Sequence, residues 1–195
     1  MTSAASTTVP APAQRARALY TLYVVRAFFS VAWVSLVLLF AKSSPPLTAA
    51  LLLLYPAWDV LATFGDMRAN RGAGSLRLQY VNIVVGSLTT LAVGLTLRSG
   101  TPAVLVVFGV WAGLTGLIQL LLGLRRRRLL GGQWPMILSG GQSVLAGVSF
   151  VLTAHDPAKG VLNLAGYSAF GAFYFLLAAL RLRSAAKSTG LVQRP

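Results

Sequence analysis

Most residues between positions 19 and 180 belong to one of six apolar stretches, and no other feature of the chain limits its fold so severely. The stretches cover residues 19–41, 47–65, 78–97, 103–124, 134–153 and 161–180. Each is close to the ~20 residues that a helix needs to cross a hydrocarbon core of about 30 Å. Backbone groups in such a core must be satisfied within the segment, which excludes open sheets and leaves helices. The expected fold is all-α and integral to a membrane. Residues 1–18 read as a disordered tail, 19–183 as one membrane domain, and 184–195 as a mobile tail.

Charge sets the expected orientation. Of 17 basic residues, 13 fall on one side of the spans: Arg15, Arg17, Arg68, Arg71, Arg77, the run Arg125, Arg126, Arg127 and Arg128, then Arg181, Arg183, Lys187 and Arg194. The opposite connections carry only Lys42, Arg98 and Lys159, and Arg26 lies inside the first span. The positive-inside rule therefore places both termini in the cytoplasm, with the first span an uncleaved anchor. A net charge of +14 would suggest nucleic acid in a soluble chain. Here the cations flank helix ends, so topology accounts for them and no nucleic-acid partner is expected. The Arg125–128 run also suits anionic lipid headgroups.

A repeat underlies the six spans. Pro46, Pro102 and Pro157 mark three outer turns, 56 and 55 residues apart, and Tyr55, Trp111 and Tyr167 follow at intervals of 56. Arg68, Arg125 and Arg181 close the units. The pattern predicts three tandem hairpins, 19–65, 78–124 and 134–180, related by an axis along the membrane normal. Small residues predict close helix packing: Gly109, Gly113 and Gly116 on the fourth span, with Gly109 and Gly113 in GxxxG spacing, and Gly140, Ser143 and Gly147 on the fifth. A pore or a dimer contact would use such faces too, but packing within one bundle is the commoner reason for them. The first span, without Gly and with Phe28, Phe29, Trp33 and Phe40, reads as more peripheral.

Few residues could carry chemistry. There is no Cys and no Glu, His155 is the only imidazole, and the carboxylates are Asp59, Asp66 and Asp156. No catalytic constellation, metal site or cofactor is expected, and the reading is non-enzymatic. His155 and Asp156 in the last outer turn read as polar loop residues. Arg26 and Asp59 lie inside spans at similar depth, about 6 and 10 Å from the inner boundary at ~1.5 Å per residue. They could form an intramembrane ion pair, or Arg26 could snorkel to phosphates while Asp59 reaches interfacial water. Tyr55, Asp59 and Thr63 recur every four residues and predict a polar stripe facing the bundle interior. Gln79, Asn82, Gln119, Gln142 and Asn163 could line a solvated path or bond between helices.

The segment WPMILSGGQSVLAGVSFVLTAHDPAKGVLNLAGYSAFGAFYFLLAALRLR, residues 134–183, resembles the HdeD-like family of small six-helix bacterial membrane proteins, relatives of an acid-resistance membrane protein. The shared features are a Trp-initiated Gly-rich helix, a Pro turn and a Gly-containing return helix. VVGSLTTLAVGLTLRSGTP follows the pattern more loosely, and YPAWDVLATFGDMRANRG departs from it by adding Trp58 and Asp59. The resemblance implies a multi-pass protein of the bacterial plasma membrane, linked to acid or envelope stress tolerance, without catalytic residues to carry over. The competing expectation is a small solute or proton transporter or channel that uses Asp59.

Overall fold

The computed structural model describes residues 12–71, 75–130 and 133–188, and among these every regular element is helical. The helices are α1 (Pro12–Phe40), α2 (Pro45–Ala69), α3 (Arg77–Thr96), α4 (Thr101–Leu130), α5 (Trp134–Leu152) and α6 (Val161–Ser188). All six are long and apolar enough to cross a membrane. Proline sets several starts: it occupies the first turn of α1, α2, α4 and α5, where its missing N–H would have lacked an intrahelical partner anyway. Between α3 and α4 a single 3-10 turn (Leu97–Ser99) leads into Gly100, whose φ of +90° lies in the left-handed region that favours glycine. The α5–α6 turn is tied locally, with Asp156 accepting from the Ala158 amide and Asn163 from the Gly160 amide. Both side chains therefore serve the turn.

Both tail boundaries differ from the sequence expectation, and α2 and α4 also run past their apolar stretches, to Ala69 and Leu130. Helix α1 begins at Pro12, so residues 12–18 are helical, and Ala16 and Leu19 are buried together with Ala178, Ala179 and Leu182 of α6. An apolar partner across the gap outweighs the polar look of the segment, whose Ala, Gln, Arg and Leu are all good helix formers. Likewise α6 runs on to Ser188, through the first residues of the expected C-terminal tail. The remainder of both tails lies outside the described residues.

Each helix packs against its neighbours in sequence, and α6 packs against α1, so the six close into a ring. Short turns reverse the chain after every helix, which puts the start of α1 and the end of α6 at the same end of the bundle. The most extensive interfaces, α4 with α5 and α1 with α6, join one hairpin to the next. Side chains are sorted inside out. Large apolar residues such as Phe28 and Leu152 are 77% and 79% exposed around the outside, whereas Asp59, Asp66, Asn82 and Gln79 are buried.

Helix α1 is among the less buried spans, in line with its lack of glycine, yet aromatic side chains anchor it to the bundle. Trp33 and Val37 are fully buried, and Phe29 stacks on Trp58 with ring centroids 4.4 Å apart. Aromatic side chains make the contact here, in place of the small residues that let helix backbones approach closely. Pro56, inside α2, cannot donate to the Leu52 carbonyl. In that same turn the Trp33 indole N–H donates to the Leu51 carbonyl at 2.7 Å, fixing α1 to α2.

The α4–α5 interface shows the close approach. Gly109, Gly116 and Gly123 recur every seven residues on α4, about two helical turns, and meet Gly147, Gly140 and the Met136–Ile137 backbone of α5. A Cβ on Gly140 would lie 2.6 Å from the Leu120 nitrogen and 2.7 Å from the Gly116 oxygen, contacts with backbone that cannot swing aside. Gly113 differs: nothing lies within 4 Å of where its Cβ would be, although its own backbone forms the floor under Gly147. Gly140→Ala is therefore expected to destabilise the bundle by about 1–3 kcal/mol, as overpacking does, and Gly113→Ala to leave it within about 0.5 kcal/mol. Thermal unfolding of the two variants in the same micelle checks the contrast; equal midpoints would contradict it.

Candidate functional site

The inward face of the ring encloses a partly open cavity of about 110 Å³, large enough for several waters or one small solute. Its walls repeat with the hairpin. Tyr23, Gln79 and Met136 line it at intervals of 56 and 57 residues, as do Arg26, Asn82 and Ser139. On the return helices, Tyr55, Trp111 and Tyr167 are spaced by 56, and so are Asp59, Thr115 and Gly171. One hairpin geometry thus supplies the wall three times. The chemistry is not repeated: the first hairpin supplies Arg26, Asp59 and Asp66, the second mostly neutral polar groups and Arg126, and the third small or aromatic residues.

Arg26 and Asp59 are in direct contact, the guanidinium Nη2 donating to Asp59 Oδ1. Further hydrogen bonds tie the carboxylate to its neighbours. Asn82 Nδ2 donates to Asp59 Oδ2 and to Thr63 Oγ1, each at 2.8 Å, while the Thr63 hydroxyl donates to the Asp59 backbone carbonyl. The Arg26 guanidinium also lies over the Phe175 ring, 4.7 Å from its centroid. Tyr55 faces the same cavity one turn further along α2, edge-on to Trp111 at 5.7 Å. The polar stripe of Tyr55, Asp59 and Thr63 therefore points inward along its whole length.

A second pair lies closer to the end where the termini emerge. Arg126 Nη2 donates to Asp66 Oδ2 at 2.5 Å, and Gln79 Nε2 donates to the same oxygen at 3.2 Å. Tyr23 donates across the bundle to Gln133 at 3.3 Å. Sequence reasoning missed this layer, since Asp66 follows the last residue of its apolar stretch and Arg126 sits in a run read as lipid-facing. The structure corrects that reading for Arg126, which is 9% exposed and turned to the interior; Arg125, Arg127 and Arg128 differ in direction. Four consecutive residues on a helix span most of its circumference at 3.6 residues per turn, so one of them has to face inward. The available signal was Asp59 and Asp66 seven residues apart, which places both on one face of α2.

Neither pair is a natural source of stability. Desolvating two charges costs about as much as their attraction returns, so a buried pair roughly breaks even against apolar side chains of the same volume. Several cavity groups also find no partner among the described residues: the indole N–H of Trp58 and Trp111, the Gln133 amide nitrogen and the Gln79 amide oxygen. Beyond Tyr55 and Trp111, toward the turns that join the helices of each hairpin, the interior becomes mainly apolar, with Trp33, Val37, Leu51, Leu105, Phe108 and Leu164 packed together. That cluster closes the cavity on one side, and the Asp66–Arg126 layer lies on the other.

Among the described residues no group of His, Asp or Glu is arranged to hold a metal ion, and His155 is exposed in the α5–α6 turn, away from the cavity. No family model, curated protein or solved structure matches the chain. Removing one partner of the inner pair tests how dry this layer is. Asp66→Leu leaves the Arg126 charge buried and unpaired and is expected to cost about 3–5 kcal/mol, while Arg126→Leu combined with Asp66→Leu recovers most of that loss. Unfolding of the single and double variants in micelles measures it; an Asp66→Leu protein as stable as the parent would mean that water reaches Arg126.

Proposed function

We propose that this chain is a multi-pass bacterial plasma-membrane protein, non-enzymatic, whose central cavity binds a small polar solute and passes it across the bilayer, with Asp59 at the binding position. The observation that carries this reading is the inside-out distribution of side chains. An apolar exterior surrounds a cavity walled by all three hairpins, and that cavity holds two ion pairs whose burial brings little stability. Ionisable groups at this depth in a membrane bundle are a recurrent mark of solute and proton paths. The cavity is closed toward the short turns by the apolar cluster, so passage requires that cluster to part. Both termini, on this reading, are cytoplasmic, because the cation-rich connections share their end of the bundle.

A second reading is a role in acid or envelope stress tolerance. It is supported by the recurrence of cavity positions at one hairpin length, the architecture that the HdeD-like resemblance implies. Stress tolerance without transport would appear as lowered survival in acid on deletion, with no flux through the purified protein.

Two experiments test the transport reading and its orientation. Gly171 borders the cavity and has open space where a side chain would go, so Gly171→Trp is expected to block the path while leaving the unfolding midpoint near that of the parent. Osmotic swelling of proteoliposomes in glycerol, urea and small salts reads the flux; a parent protein that passes none of them refutes the transport reading. The chain lacks Cys, so single substitutions report topology directly. In intact cells Ser43→Cys and Ser99→Cys should react with an impermeant maleimide, and Ser75→Cys should react only after lysis.

A further inference from the structure

Hydrogen-bonding capacity inside the cavity is lopsided. Three buried donors lack partners among the described residues, the indole N–H groups of Trp58 and Trp111 and the Gln133 amide, against one unpartnered acceptor, the Gln79 oxygen. The guanidinium groups of Arg26 and Arg126 each make a single hydrogen bond to a carboxylate, through Nη2. An arginine carries five N–H donors, so further donors remain on both. Trp111, Gln79 and Gln133 are each at least nine-tenths buried and line the cavity. A ligand that completes this set must be rich in acceptors. The surrounding charge agrees, because Arg68, Arg71, Arg125, Arg127 and Arg181 cluster at the end of the bundle nearer the ion pairs and would concentrate anions there.

Charge balance limits how an anion can enter. Within the cavity Arg26 and Arg126 offset Asp59 and Asp66, so an anion arriving alone would leave one net negative charge in a poorly solvated space. We infer that the cavity takes up a small monovalent anion together with one proton: the anion replaces Asp59 as the partner of Arg26, and the proton neutralises the Asp59 carboxylate. This names the solute of the transport reading above and rests on it. Asp59 is better suited to the exchange than Asp66, because the Arg26–Asp59 side chains are 18% and 10% exposed against 11% and 9% for Arg126–Asp66. When Asp59 releases it, Arg26 keeps its place over Phe175. Asn82 still donates to Oδ2, and protonated Oδ1 becomes a donor toward the anion that Arg26 holds. The proton comes from solvent water and no covalent bond to carbon changes.

The groups that share the cavity with Asp59 are few. Arg26 and Tyr23 come from α1, Tyr55 and Asp66 from α2, Arg126 from α4 and Tyr167 from α6, whereas α3 and α5 contribute only neutral side chains. Tyr167 is held as a donor to Ser143 at 3.0 Å, and Asp66 is held by Arg126 and Gln79. Asp59 is held in the same way, by Arg26 and Asn82, and the greater exposure of the Arg26 side chain, 18% against 11% for Arg126, makes this the pair that trades its partner. The volume of about 110 Å³ suits an anion the size of nitrate, chloride or formate.

Calorimetric titration of the full-length protein in micelles with sodium nitrate tests the proposal, because nitrate itself does not protonate in the working range. Repeating the titration in buffers of different ionisation enthalpy counts protons. The parent should take up one proton per nitrate, and its affinity should fall tenfold for each unit of rising pH. Asp59→Asn should bind nitrate without proton uptake and with a flat pH profile. Combining Arg26→Gln with Asp59→Asn, a neutral pair of nearly unchanged shape, should abolish binding. Nitrate binding with no proton uptake by the parent overturns the coupling, and that measurement decides even if Asp59→Asn fails to fold. No nitrate binding in a protein whose liposomes pass glycerol or urea overturns the anion assignment and leaves the transport reading standing. Absence of both binding and flux overturns the two together.

Discussion

The charged groups inside this bundle are arranged around the requirement that a charge removed from water must meet an opposite charge. Arg26 and Arg126 reach inward from α1 and α4 to the two carboxylates of α2, and Gln79 and Asn82 of α3 complete the carboxylate contacts. These bonds connect helices whose outer surfaces are apolar. The interface between α2 and α3 is therefore specified by amides and carboxylates, and the one between α4 and α5 by glycine backbones in contact. The two interfaces fail differently: the first loses charge compensation when a partner is removed, the second loses space when a methyl group is added.

Threefold repetition and asymmetry coexist in the same residues. Hairpins of equal length put equivalent positions at equivalent depths on the cavity wall, which is why Tyr55, Trp111 and Tyr167 converge there. The residues at those positions nonetheless differ. The place of Arg26 is taken by Asn82 and Ser139 in the later hairpins, and the place of Asp59 by Thr115 and Gly171. A symmetric set would put three guanidinium and three carboxylate groups into one small cavity, with a desolvation cost that grows with each ion. Charge confined to one hairpin, with one cation borrowed from α4, keeps that cost low and gives the cavity a polar side and a small or aromatic side.

Much of the architecture was legible in the residues. Hydropathy set six helices, proline spacing set three hairpins, and the fourfold spacing of Tyr55, Asp59 and Thr63 set the inward face of α2, since all of these depend on local periodicity. The contents of the cavity were less accessible. Asp66 falls one residue beyond the apolar stretch and looks like a loop residue to any hydropathy reading, yet its helix continues and carries it inside. Arg126 was hidden by its neighbours, because a run of like charges announces a surface and gives no sign of the one member that turns away. The anchoring of α1 was hidden for a related reason. Aromatic packing leaves no small-residue signature.

By itself the sequence determined the number and order of the helices and the pairing into hairpins, because these follow from apolar length and turn chemistry within some twenty residues. Only the tertiary structure decided that α6 closes against α1, that glycine contacts on α4 recur every seven residues, and that Asp66 and Arg126 meet across 60 positions. Those outcomes depend on helix rotation. A helix must turn some face inward, but periodicity leaves several faces nearly equivalent when apolar residues surround it. The choice is made by the neighbour that can fill the space or complete the charge, and that neighbour is distant in the chain.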